Sequence, residues 1–134
     1  MKEELDGNKK YDLEKRLIDF AVRIIDLVET LPNTRAGNHI AGQLVRCGTS
    51  PAPNYGEAQS AESRNDFIHK IKIVLKELRE TKVWLQIIHR KRMTKSGSQA
   101  ESLIVECDEL ISIFVKSVKT AEKNKLGANK RALI

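Results

Sequence analysis

Aromatic residues make up only 4% of the chain, with a single tryptophan. A β-sandwich would need more aromatic and Thr-rich strands, so apolar content carried by Leu, Ile, Val and Ala suits helix-on-helix packing better. No apolar run approaches the roughly 18 residues that a membrane-spanning helix requires. The start, Met1-Lys2-Glu3-Glu4-Leu5-Asp6, has no apolar signal region, so the expected location is the cytoplasm. Cysteine is scarce as well: Cys47 and Cys107 each sit among apolar residues in a helical pattern and read as buried free thiols. Internal repeats and low-complexity stretches are absent.

The 134 residues are one domain's worth, and 40% hydrophobic with 31% charged residues is an ordinary globular balance. The net charge of +6 is unevenly spread. Arg90, Lys91, Arg92 and Lys95 supply four positive charges with no acid between them. Lys123, Lys125, Lys130 and Arg131 supply four more, so the rest of the chain sums to −2.

Residues 1–11 are polar and without period, and are expected to be flexible. From Asp12, Leu13, Leu17, Phe20, Ile24, Leu27 and Leu31 form a heptad-like stripe that predicts a helix over 12–31. Ile18, Ala21, Ile25 and Val28 lie beside it and are expected to widen the apolar face. Pro32 ends this helix. A second helix is predicted over 35–61, capped by Asn33 or Thr34, with a kink or break at 49–53 because Pro51 and Pro53 lack amide donors. Ser63 with Asp66 starts a third helix over 63–92, whose stripe is Phe67, Ile71, Val74, Leu78, Leu85 and Ile88, with Thr81 at the polar step. Ser98-Gln99-Ala100-Glu101 has the form of a capping box and opens a fourth helix over 98–124. Residues 125–134 read as a basic, flexible tail. Four amphipathic helices with short connections predict an all-α, antiparallel, up-down-up-down four-helix bundle.

Chemistry-bearing constellations are few. A di-iron bundle needs Glu-x-x-His pairs, and the chain offers Gln86-x-x-His89 instead. His69 and His89 lie about five turns apart on one predicted helix, too far to share an ion. There is no His-Glu-x-x-His and no phosphate-cradling glycine loop. Glu77 and Glu80 lie among Lys76, Arg79 and Lys82, where solvated ion pairs account for them. The expectation is therefore no metal, no cofactor and no enzyme. The cluster Arg90, Lys91, Arg92 and Lys95 could neutralise phosphates in a salt-sensitive way. It also complements the helix dipole, which by itself would place basic residues there. Ile73, Val83, Trp84 and Ile87 fall roughly 100° or more from the core stripe of the third helix and form a candidate oligomer face. Alternatively, Trp84 folds over the rim of its own core, or the kinked second helix covers it.

The middle of the chain resembles a bacterial family. Gln43-Leu44-Val45-Arg46-Cys47-Gly48-Thr49-Ser50 is followed by Asn54-Tyr55, Glu57-Ala58-Gln59, Asp66-Phe67-Ile68-His69-Lys70, Leu75-Lys76-Glu77, Glu80-Thr81 and Trp84-Leu85. Ser117-Val118-Lys119-Thr120-Ala121 with Lys123-Asn124 closes the likeness, which spans about residues 12–124. These motifs are similar to those of the four-helix bundle proteins encoded by intervening sequences within bacterial 23S ribosomal RNA genes. The resemblance implies a homopentamer of largely unassigned biochemical role. Distant relatives are accessory proteins of diversity-generating retroelements that bind nucleic acid and a reverse transcriptase. Pro51, Pro53 and Gly56 depart from the family pattern, where a branched apolar, a small and a basic residue are usual. The combined expectation is a non-enzymatic, ring-like homo-oligomer that binds RNA or DNA. The alternative is a structural or adaptor oligomer that binds a protein partner without a nucleic-acid role.

Overall fold

The computed structural model describes the backbone of residues 2–132 and the side chains of residues 13–127. All of its elements are helices: α1 Lys2–Val28, α2 Arg35–Thr49, α3 Pro51–Gln59, α4 Arg64–Lys91 and α5 Ser98–Ala132. No strand occurs among the described residues. α2 and α3 follow one another through Ser50, so the five elements make four legs, consistent with a four-helix bundle. Helical backbone begins before Asp12 and continues past Asn124. The flexibility expected of residues 1–11 and 125–134 falls largely outside the described side chains.

Each helix boundary has a local cause. The last turn after α1 tightens, with Thr30 N–H donating to Leu27 O at 3.0 Å and Leu31 N–H to Val28 O at 3.1 Å, before Pro32 stops it. Thr34 Oγ1 accepts from Gly37 N–H at 3.0 Å, which makes Thr34 rather than Asn33 the cap of α2. Ser63 Oγ accepts from Asp66 N–H at 3.1 Å. The predicted break at the prolines is a break in hydrogen bonding: Ser50 keeps right-handed helical angles, φ −61° and ψ −37°. Its amide donates back to Arg46 O and its carbonyl accepts from Asn54 N–H, both at 3.2 Å. Pro51 and Pro53 therefore sit in the first turn of α3, where a missing N–H is least costly. The capping box expected at Ser98 shifts by one residue. Gly97 O accepts from Glu101 N–H at 3.0 Å, so Gly97 holds the cap position and Ser98 is the first helical residue.

One apolar cluster occupies the centre. Leu17, Phe20, Ile24 and Leu27 of α1 meet Leu44 and Cys47 of α2, Tyr55 and Ala58 of α3, the Ile71–Ile88 stripe of α4, and Leu103, Cys107, Leu110 and Phe114 of α5. Tyr55 and Phe114 meet edge to face with centroids 5.6 Å apart. A fully buried Leu, Ile or Phe contributes about 1.5–3 kcal/mol. The ion pairs across the seams, Arg16 with Glu106 and Lys72 with Glu122, are part-exposed and worth about 0–1 kcal/mol each. Apolar burial therefore holds the fold. α1 packs on α2, α3 and α5, and α4 packs on α5, α3 and α2. α1 and α4 make no close approach among the described residues.

One expectation about the core is corrected. Ala21 and Val28 half-bury beside the α1 stripe, but Ile18 and Ile25 are 50% and 42% exposed. The neighbours of α1 stand on its other sides and never reach them. At the start of α4, Phe67 is half-buried and packs against the core, as its place in the stripe predicts, and Ile68 beside it is buried.

Candidate functional site

The predicted basic cluster lies where α4 ends and turns into α5. His89, Arg90 and Lys91 occupy the last turn, opposite in sign to the negative end of the helix dipole. Arg92 then adopts φ 54° and ψ 51°, the left-handed region. Its N–H donates to His89 O at 3.2 Å, and Met93 N–H donates to Ile88 O at 3.1 Å. Those two bonds satisfy carbonyls that the helix end leaves open, and Met93 packs back on the core as the accompanying apolar contact. Glycine is the usual residue at such a position, and a side chain there costs about 1–2 kcal/mol.

The turn behind Arg92 is ordered by hydroxyls. Thr94 Oγ1 donates to Ser96 O at 2.8 Å, and the Ser96 and Ser98 hydroxyls lie 2.8 Å apart. Gly97 presses against the His89 ring, since a Cβ there would stand 3.2 Å from Cε1. This contact buries His89 Nδ1, which has no hydrogen-bond partner, while Nε2 faces Glu101 Oε1 at 3.4 Å. Ile88, His89, Arg92, Thr94, Lys95 and Gly97 line a hollow of about 280 Å³. Arg90, Lys91, Arg92 and Lys95 are all exposed, and none forms an ion pair among the described residues. The four predicted residues thus share one pole of the fold. Lys123 and Lys125 lie at the far end of α5, roughly 40 Å away at 1.5 Å per residue. Lys130 and Arg131 fall outside the described side chains.

The predicted oligomer face divides in two. Val83 and Ile87 are 53% and 39% exposed on the outer crest of α4. Ile73 and Trp84 are half-buried. Trp84 packs on the bundle core, lies edge-on to His39 of α2 at 5.9 Å, and donates from Nε1 to Glu80 Oε2 at 3.2 Å. Glu80 and Glu77 in turn bind Arg46, so the indole closes the seam between α2 and α4.

Two surfaces were not singled out in the sequence. Between α4 and α5 runs a groove of about 600 Å³, floored by Leu75, Val115 and Val118 and rimmed by Lys72, Lys76, Arg79 and Lys119. Its one acid, Glu122, is paired with Lys72 at 3.0 Å. The spacing of Lys72, Lys76 and Arg79 carried this signal. The second surface is the outer face of α1, where Ile18, Val22 and Ile25 stand exposed beside Asp19, Asp26 and Glu29.

Cys47 and Cys107 are free and buried, as expected. Burial pushes the Cys47 thiol up to about 11 and the Cys107 thiol up to about 12. No group of three or more His, Cys, Asp or Glu poised to hold a metal occurs among the described residues. No helix there is long and apolar enough to cross a membrane.

Comparison with known proteins agrees with the motif reading. The 23S rRNA-intervening sequence protein family profile matches residues 9–116. A solved structure from Bacteroides thetaiotaomicron VPI-5482, described as a protein with unknown function from the S23 ribosomal protein family, is 35% identical. It superposes with a TM-score of 0.72, over 80% of this chain and 98% of that one. No functionally curated protein is significantly similar in sequence to this chain.

Proposed function

The chain belongs to the 23S rRNA-intervening sequence protein family, and on that footing we propose that it is a non-enzymatic, oligomeric binding module for nucleic acid, RNA or DNA. Arg90, Lys91, Arg92 and Lys95 make the phosphate contacts. One observation carries the reading: four exposed cations, none engaged in an ion pair among the described residues, gather within six residues at one pole of the fold, where Arg92 and Lys95 line a hollow. Arg92 adds weight, because a charged side chain occupies a backbone position that favours glycine. Strain of this kind is kept where the side chain has work to do.

The bundle is read as antiparallel, up-down-up-down, and assembled into a ring, a pentamer by family resemblance. The ladder of cross-seam partners supports the antiparallel arrangement. Along α1, Arg16 meets Glu106 and Arg23 meets Ser102; along α4, Lys72 meets Glu122 and Lys82 meets Asp108. In both pairs of helices the residue numbers rise on one partner as they fall on the other. A ring would gather the basic poles of its copies into one rim and multiply weak phosphate contacts. The exposed Val83 and Ile87 favour the second reading, an adaptor oligomer that binds a protein partner through α4.

Binding of a fluorescent single-stranded RNA and of duplex DNA, measured from low to physiological salt, separates the two. The phosphate reading expects affinity to fall steeply with salt. Arg90→Ala, Lys91→Ala and Arg92→Ala together should remove about 2–3 from the log–log slope. Binding that is insensitive to salt, or that survives the triple variant, excludes it.

A further inference from the structure

The outer face of α1 and the α4–α5 groove match each other in charge, apolarity and length. On α1, Ile18, Val22 and Ile25 are each at least 42% exposed, a row four and then three residues apart. Asp19, Asp26 and Glu29 flank that row, exposed and without an ion pair among the described residues. Of the nearby cations, Arg23 is turned away to the Ser102 hydroxyl of α5, and Lys15 stands exposed one turn before Ile18 and Asp19. Across the bundle, Lys72, Lys76, Arg79, Val83 and Ile87 run along the outer side of α4 at spacings of four, three, four and four. Lys119 of α5 completes the rim over a floor of Leu75, Val115 and Val118. Lys76, Arg79 and Lys119 also lack ion pairs among the described residues. Ile18 to Ile25 and Lys72 to Arg79 each span seven residues, or about 10 Å of helix.

We infer that the groove receives α1 of a second copy of this chain, with Asp19, Asp26 and Glu29 set against Lys76, Arg79 and Lys119. The apolar row Ile18–Val22–Ile25 then covers the groove floor, and Val83, one turn past Arg79, stands at its edge. Because the exposed row of α1 and the outer side of α4 both face away from the shared core, the two halves of the contact are different surfaces, and each copy uses both. A contact of that kind propagates head to tail and closes into a ring when its rotation permits. This inference rests on the oligomeric reading above and names the surfaces that would build it.

Light scattering on the intact chain and three variants tests it. Asp19→Lys/Asp26→Lys/Glu29→Lys and Lys76→Glu/Arg79→Glu/Lys119→Glu should each fall to monomer mass, and the chain carrying all six changes should regain the oligomer. Circular dichroism confirms that each variant remains helical. A wild-type monomer at high concentration overturns the oligomeric reading itself. A wild-type oligomer whose mass neither triple variant lowers overturns only these surfaces. If the groove variant keeps its mass and loses RNA binding instead, the groove serves nucleic acid and the inference falls. A second probe does not depend on charge: in Val22→Cys/Val83→Cys a short bismaleimide should link copies into a ladder, since the native thiols are buried. The absence of a ladder from an oligomeric sample also overturns it.

Discussion

Gly48 of α2 lies directly against Ile24 of α1: a Cβ at Gly48 would stand 2.8 Å from Ile24 Cγ2 and 2.9 Å from Cγ1. Ile24 is fully buried in the core and branched at the contact, so it cannot swing aside. Gly48 therefore lets α1 and α2 pack closely here, although glycine weakens a helix interior by up to about 1 kcal/mol. Gly48→Ala should destabilise the fold by about 1–3 kcal/mol in urea unfolding, the overpacking cost exceeding the propensity gain. Gly42, on the same helix, has nothing within 4 Å of its would-be Cβ. Gly42→Ala should stabilise by about 0.5–1 kcal/mol, and the opposite signs are the test.

Arg92 supplies a second prediction. Its left-handed conformation is fixed by the two bonds that close α4, which glycine would form without steric cost. Arg92→Gly should raise stability by about 1 kcal/mol while weakening nucleic-acid binding. Arg92→Ala should leave most of the strain in place. A thermal melt of both variants beside a binding titration separates the conformational effect from the charge.

The periodic signal was strong where burial is one-sided. Leu17, Phe20, Ile24 and Leu27, and Ile71 through Ile88, were legible because a core-facing side chain every three or four residues has no other use. Ile18 and Ile25 misled, because an apolar residue beside a stripe reads the same whether its own bundle or another molecule covers it. The basic pole was legible as a run of like charge, but the backbone of Arg92 was not, since no glycine marked the turn. The α4–α5 groove was hidden because its two walls, Arg79 and Lys119, lie forty residues apart in the chain and meet only through folding.

Adjacent residues on α1 should differ sharply on truncation. Arg16 bridges Glu106 and Glu109 of α5 at the part-exposed seam. Leu17, 1% exposed, points into the core. Arg16→Ala should cost about 1 kcal/mol or less and lose its effect in high salt. Leu17→Ala should cost about 2–5 kcal/mol and be insensitive to salt. Equal costs would mean that the seam charges, rather than the core, hold α1 in place.

The buried thiols make stability depend on alkaline pH with a definite sign. In the unfolded chain both cysteines ionise near the ordinary value of 9.0, whereas folding holds Cys47 to about 11 and Cys107 to about 12. Between those limits the unfolded state has lost protons that the folded state keeps, so raising the pH favours unfolding. Tyr55, also raised by burial, acts in the same direction above its own range. The contribution is complete below pH 9 and is lost as the pH climbs from 9 through about 11 for Cys47 and about 12 for Cys107. Urea midpoints should therefore be flat from pH 7 to 8.5 and fall above 9. Cys47→Ala with Cys107→Ala should flatten that fall while lowering stability at neutral pH through the lost packing. The same burial predicts that neither thiol reacts with a disulfide reagent at pH 8 until urea unfolds the chain, when both should react together. Fast labelling in the absence of urea would show that the seams around α2 and α5 open far more readily than the packing of Leu44, Leu78 and Leu110 implies.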